Sequence, residues 1–227
     1  MRLLWFVMFA QMPMTNSTNH REKQNTVPTH KVVSNYFSMP QQMLTRLHPN
    51  ENIVTKYKLD DITISLVGYH QFENPDITNV LQAIQEEKAQ GNFIIFFPHW
   101  GNEYEKKASD IQKEIARKVV QAGADIVIGA HPHVIQNVET HDSKPIFYSL
   151  GNFVFDQWFS EDVKYGLALL LTFSERNIES IELKPFYRAR YHPKWLIGEE
   201  RTNWCTLYTQ GTLFTYKQEN PCLLTLN

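Results

Sequence analysis

His99 stands in the segment PHWGNEY, and His131 and His133 stand in GAHPHV. A neutral imidazole nitrogen is a good ligand for zinc, iron, manganese or nickel at about 2 Å. One histidine alone is more often structural. Two histidines flanking a proline are different, because Pro132 has a fixed φ that limits how far His131 and His133 can diverge. Glu103 shares the His99 segment, where its carboxylate could hold a ligand ring in place or touch a metal-bound water. Trp100 and Tyr104 read as packing or a pocket wall. Further on, Asn152 sits in YSLGNFVFD, ready to donate to a bound anion or to brace the H-P-H loop. The alternative there is a tight turn with Gly151 at positive φ and Asn152 capping backbone groups. Ser149 has no partners for a Ser-His-Asp arrangement and no nucleophile-elbow context, so serine hydrolysis is rejected.

These side chains become neighbours only if the elements between them fold in one particular way. Ile62, Ile64 and Leu66 alternate with polar residues up to Gly68, which predicts a strand. Asn74-Pro75-Asp76 opens a helix with Ile77, Val80, Leu81 and Ile84 on one face and Gly91 at its end. FIIFF at 93–97 is apolar throughout, as a strand covered on both faces should be. Ser109 and Gln112 form a capping box before a helix with Ile111, Ile115, Val119 and Ala122 on one side, ending at Gly123. DIVI at 125–128 is a further buried strand. This β-α-β-α-β order has crossovers long enough for parallel pairing. In such a sheet His99, His131 and His133 emerge at one carboxyl edge, where these folds build their sites.

Strands over 145–149, 166–173 and 178–183 follow, the last two joined by a hairpin across Ser174-Glu175-Arg176-Asn177. His141 and Asp142 read as an exposed turn. The tail beyond Pro185 is aromatic-rich, with a small hairpin expected around Gly211. Residues 11–52 are rich in Asn, Thr, Gln and Pro and read as loop, so His20, His30 and His48 there receive no role. LLWFVMFA at 3–10 is too short to span a membrane, and reads as a signal h-region or as a buried leading segment.

With 227 residues, 42% of them hydrophobic, the chain can fill a core. Lys+Arg 22 against Asp+Glu 24 gives a net charge of -2, which argues against nucleic acid as a partner. Cys205 and Cys222 could pair in an exported chain, but two cysteines make neither a disulfide scaffold nor a zinc knuckle. A glycine-rich loop after the first strand is missing, which disfavours a dinucleotide fold.

Taken together, HWGNEY, QAGADIVIGAHPHVIQ and KPIFYSLGNFVFDQ resemble signatures of the bacterial capsule-synthesis protein CapA family, also known for poly-gamma-glutamate biosynthesis. That family belongs to the calcineurin-like metallophosphoesterase superfamily. The resemblance runs from Lys58 to Pro185 and implies an α/β metallophosphoesterase-like layered sandwich (α/β/β/α) with a dinuclear metal centre. It places His99, His131 and His133 as metal ligands, with Glu103, Asn152 and Asp156 in motifs lining the same cleft; Glu103 and Asn152 are the implied catalytic residues. The implied cofactor is a divalent manganese, zinc, iron or nickel ion, and the implied reaction is hydrolysis of a phosphoester by a metal-generated hydroxide.

The family's early Gly-Asp, glutamate and Asn-His motifs are not recognisable before Lys58. His48 is followed by Pro49-Asn50, Asp60-Asp61 precede their strand, and His70 follows a strand but matches no ligand of the family. The expectation is therefore a leader over residues 1–57, truncated or unrelated, a C-terminal part of the CapA-like domain over 58–185, and an extension over 186–227. The sheet would lack its N-terminal strands, with a partner chain completing it, a truncated chain or a degenerate relative as the alternatives, and the metal site would be incomplete. Function divides between a phosphoesterase-type protein of capsule or poly-gamma-glutamate biosynthesis and a non-catalytic relative that binds an anionic polymer or scaffolds a partner. Family resemblance places it at the cell envelope or outside the cell; without a signal it would be cytoplasmic.

Overall fold

The computed structural model describes residues 2–7, 36–38, 53–153, 155–189, 192–210, 212, 214–217 and 219–225. The strands are β1 (Arg2–Val7), β2 (Tyr36–Ser38), β3 (Val54–Leu59), β4 (Ile62–His70), β5 (Phe93–His99), β6 (Ile126–Ile128), β7 (Val138–His141) and β8 (Lys144–Phe147). They continue with β9 (Tyr165–Ser174), β10 (Asn177–Ala189), β11 (His192–Trp195), β12 (Thr215–Lys217) and β13 (Asn220–Thr225). Helix α1 spans Thr78–Ala89, α2 Asp110–Ala122 and α3 Gly198–Thr209.

Two sheets result. The 6-stranded sheet has the order β3-β4-β5-β6-β8-β7, and the 7-stranded sheet has the order β12-β13-β10-β9-β1-β2 with β11 added beside β10. β4, β5, β6 and β8 run parallel, which is the crossover geometry expected from the sequence. Their side chains alternate between two cores. Ile62, Ile64, Leu66, Phe93, Ile95, Phe97, Ile126, Ile128 and Phe147 meet Leu167, Leu169, Leu171, Phe173, Ile181 and Leu183 between the sheets. Val67, Tyr69, Ile94, Phe96, Val127, Ile146 and Tyr148 face the other way, against Val80 and Ile84 of α1 and Ile115, Ala116 and Val119 of α2. Both faces are covered, so FIIFF can be apolar without interruption. The layered α/β class is present.

The helices differ in detail from expectation. On α1 the face with Val80 and Ile84 is buried as predicted, and Asp76 accepts from the Thr78 amide at 2.9 Å ahead of the first turn. The α2 capping box is formed, with Ser109 and Gln112 exchanging side-chain bonds. Its buried face is rotated by one position, to Gln112, Ile115, Ala116, Val119 and Val120, leaving Ile111 56% exposed. The cause is Gln112, fully buried because its side chain also donates to Gln136 at 2.9 Å.

Strands also occur before Lys58, where an irregular leader was expected. β1 pairs antiparallel with β9, from Arg2 opposite Phe173 to Phe6 opposite Leu169, and β2 pairs parallel with β1. The apolar run read as a signal h-region or buried leading segment is, over Arg2–Val7, a strand inside the sheet. An unpaired β9 edge would leave a row of backbone groups unsatisfied, and β1 supplies their partners. β3 covers the outer edge of β4 in the same way, turning at Asp60 with φ 54. The remainder of 8–52, apart from 36–38, lies outside the described residues.

The hairpin between β9 and β10 turns at Glu175-Arg176 as predicted, and β7 and β8 turn at Asp142 and Ser143. The tail departs more. α3 was not expected, and the terminal hairpin pairs Thr215–Lys217 with Asn220–Thr225, while Gly211 lies outside the described residues. Cys205 on α3 and Cys222 on β13 form a disulfide, so the two cysteines do pair. Among the described residues, no helix is long and apolar enough to cross a membrane.

Candidate metal centre

The carboxyl ends of β4, β5 and β6 deliver histidines side by side. His70 ends β4 opposite His99, which ends β5, and His99 bridges in parallel to Ala130 just beyond β6. Backbone bonds fasten the loops together: Gln71 N–H to His99 O at 3.0 Å, Trp100 N–H to Ala130 O at 3.1 Å and Tyr104 N–H to Pro132 O at 2.8 Å. His131 and His133 take φ of 100° and 62°, in the left-handed region that L-residues rarely enter, on either side of Pro132. The rings of both residues lie at the same sheet edge.

Gly129 allows this approach. A Cβ there would overlap the Tyr148 carbonyl oxygen and lie 2.5 Å from Trp100 Nε1, which itself donates to that oxygen at 2.9 Å. Trp100 is fully buried, so its role is packing. Tyr104 is 42% exposed, lies with its ring centroid 6.1 Å from that of His133 and accepts from Gln157, as a wall residue would.

The imidazole centroids of His99 and His131 lie 4.5 Å apart and those of His131 and His133 5.8 Å apart. The three expected histidines are therefore neighbours. Ligand atoms of Glu103, His131 and His133 all lie within 4.8 Å of one another, with Glu103 Oε1 3.8 Å from His133 Nε2. Glu103, expected as a catalytic group, falls within this donor group, while His99, expected as a ligand, lies outside it with its ring 4.5 Å from that of His131. His70, given no role from the sequence, stacks on His99 at 4.5 Å. The signal that would have found it is register: it ends the neighbouring parallel strand at the level of His99. Phe72, 54% exposed, presents an edge to His131 at 4.7 Å.

Burial and neighbouring fields favour the neutral forms of His99 and His131. Burial, then the fields of His131, His70 and His133, push the His99 imidazole down to about 3. Burial and His133 also lower His131, against an opposing pull from Glu103. Neutral imidazoles keep a lone pair for a cation. His133 Nδ1 and Asn152 Oδ1 lie 2.8 Å apart, within hydrogen-bond distance, and His133 Nε2 lies 3.8 Å from Glu103 Oε1. Asn152 is 1% exposed and follows Gly151, which has φ +72 and bridges to Gly166, so the contact between Asn152 and His133 fits the bracing reading. Two imidazole nitrogens and a carboxylate oxygen suit a divalent cation.

The sequence profile of the bacterial capsule synthesis protein PGA_cap family matches residues 9–157. The chain belongs to that family. As a PGA_cap member it is 47% identical over 74 residues to the PGA biosynthesis protein CapA of Bacillus subtilis (strain 168), covering 33% of this chain and 20% of that protein. It is 44% identical over 86 residues to the capsule biosynthesis protein CapA of Bacillus anthracis, covering 37% and 21%. The matched stretch thus spans about a fifth of these relatives' length. A solved structure of the Thermus thermophilus sulfate thiohydrolase SoxB aligns with a TM-score of 0.46 at 12% identity, over 71% of this chain and 29% of that one.

Proposed function

We propose that this PGA_cap-family chain holds a divalent cation between Glu103, His131 and His133 and serves capsule or poly-gamma-glutamate assembly through a phosphoesterase-type site. The observation that supports this is the approach of those three donors to within 4.8 Å at the carboxyl edge of a parallel sheet. A bound cation would polarise a phosphoryl oxygen and acidify a water at neutral pH. The chain's own residues then have distinct tasks. Asn152 orients His133, His99 backs His131, and Phe72 and Tyr104 wall the approach. The test is turnover of an aryl phosphodiester with added manganese, zinc or nickel, comparing wild type with His131→Ala. Metal-dependent turnover that the substitution abolishes supports the reading.

A second reading is favoured by one observation: Glu103 is the single carboxylate in the donor group among the described residues, and its side chain is 47% exposed. One carboxylate balances one cation better than two. On this reading the chain binds an anionic polymer through the cation without cleaving it, and both variants turn over the diester equally slowly.

A further inference from the structure

The orientation of His133 depends on a side chain far along the sequence. Asn152 Nδ2 donates to the Val163 carbonyl at 3.4 Å and to Gln157 Oε1 at 3.3 Å. A backbone carbonyl can only accept, so the amide nitrogen must face Val163 and the amide oxygen must face His133. An amide oxygen also only accepts, so the proton of a neutral His133 sits on Nδ1 and Nε2 carries the lone pair.

The Val163 carbonyl is held in turn by Arg188 on β10, whose Nη2 donates to it at 2.8 Å and to Gln157 O at 2.9 Å, while Nη1 donates to Phe155 O. Arg188 is 1% exposed, although arginine is almost never so buried without a partner. Its guanidinium ties down three carbonyls of the segment between β8 and β9, which includes Phe155, whose ring lies 4.8 Å from that of His133. Gly166 completes the fit, since a Cβ there would overlap the Asn152 carbonyl oxygen and the Phe186 ring.

We infer that Arg188 is a positioning residue which, through Val163 O and Asn152, fixes His133 as the Nδ1–H tautomer with Nε2 offered toward Glu103. The consequence for a cation rests on the proposed metal site; the tautomer itself does not. An unrestrained histidine side chain prefers the Nε2–H form, so loss of the relay should reverse His133.

The experiment is two-bond proton–nitrogen correlation on the metal-free whole chain with labelled histidine, at about pH 8.5 where ordinary imidazoles are neutral. His133→Gln assigns the signal. The wild type should show His133 protonated on Nδ1. Arg188→Lys and Asn152→Leu should shift it mainly to Nε2–H, Asn152→Asp should retain Nδ1–H, and His141 should not change. Cobalt affinity should fall about 10- to 100-fold in Arg188→Lys. Should Arg188→Lys misfold, guanidinium proton exchange in the wild type decides: slow exchange supports the relay, and exchange like that of free arginine overturns it. An Nε2–H tautomer in the wild type, or an unchanged tautomer in folded Arg188→Lys, also overturns it. Failure of the wild type to bind cobalt would remove the metal reading and leave the tautomer result to stand alone.

Discussion

His70 and His99 end adjacent parallel strands in register, and their imidazoles stack with centroids 4.5 Å apart and planes 20° apart. His70 Nδ1 accepts from the Glu73 amide at 3.3 Å, and His70 lies outside the Glu103–His131–His133 donor group. Its role is to support His99, which packs on His131. Accordingly, His70→Ala should weaken cobalt binding by less than about tenfold, below the usual effect of removing a group that orients a ligand. His131→Ala should abolish it. Calorimetric titration of the two variants checks the order, and equal losses would make His70 a ligand.

The close approach at Gly129 can be tested by stability. Gly129→Ala drives a methyl into Tyr148 O and the Trp100 indole, both fixed in a fully buried cluster. Overpacking of this kind costs about 1–3 kcal/mol, and the lost indole bond places this site at the upper end. Urea unfolding should show a lower midpoint with an unchanged slope. A wild-type midpoint would mean that the strands can separate freely.

The parallel sheet and its edge were legible in the sequence because apolar runs and helix caps are local signals. HWG and HPH follow such runs, so their convergence could be derived. Other parts depend on partners distant in the chain. α3 begins at Gly198 with φ +55, lacks a side-chain cap, and has Thr202, Thr206 and Thr209 hydroxyls bonded back to carbonyls four residues earlier. Such a segment has little intrinsic helix preference. Tertiary contacts hold it instead, through the disulfide and through Arg201, which donates to Glu182 at 2.7 Å. β1 was equally hidden, because it pairs with β9, a strand far along the chain, from Arg2 opposite Phe173 to Phe6 opposite Leu169. The Arg188 relay leaves no sequence signature, since it ends on backbone carbonyls.

The disulfide should therefore matter more to α3 than to the metal edge. Cys205 and Cys222 are buried at 0% and 1% exposure and close a separation of 17 residues. The chain-entropy estimate for a loop of this size is about 3 kcal/mol. Cys205→Ser with Cys222→Ser should lose roughly that stability in denaturant titration, with cobalt binding preserved. Full stability in the double variant would contradict this account.

Acid sensitivity should be traceable to Glu87. Burial raises its carboxyl pKa, but bonds from Ser65, Lys56 and Asn92 outweigh this and hold it below the ordinary 4.5. Ser65 Oγ donates to it at 2.6 Å and Asn92 Nδ2 at 2.8 Å. Between the lowered folded value and 4.5, the unfolded chain binds more protons, so stability rises with pH there. The contribution is full above the unfolded value and is lost as pH falls through the folded one. Glu87→Gln should flatten that part of the stability–pH curve, and an unchanged slope would show that other carboxylates carry it.

The central claim is a divalent cation bound by Glu103, His131 and His133, and the most direct measurement is a cobalt titration followed by its visible absorption. The wild type should take up cobalt with ligand-field bands of a nitrogen–oxygen site, weakened in Glu103→Ala and absent in the double variant His131→Ala with His133→Ala. No uptake by the folded wild type, or unchanged bands in the double variant, would contradict the account.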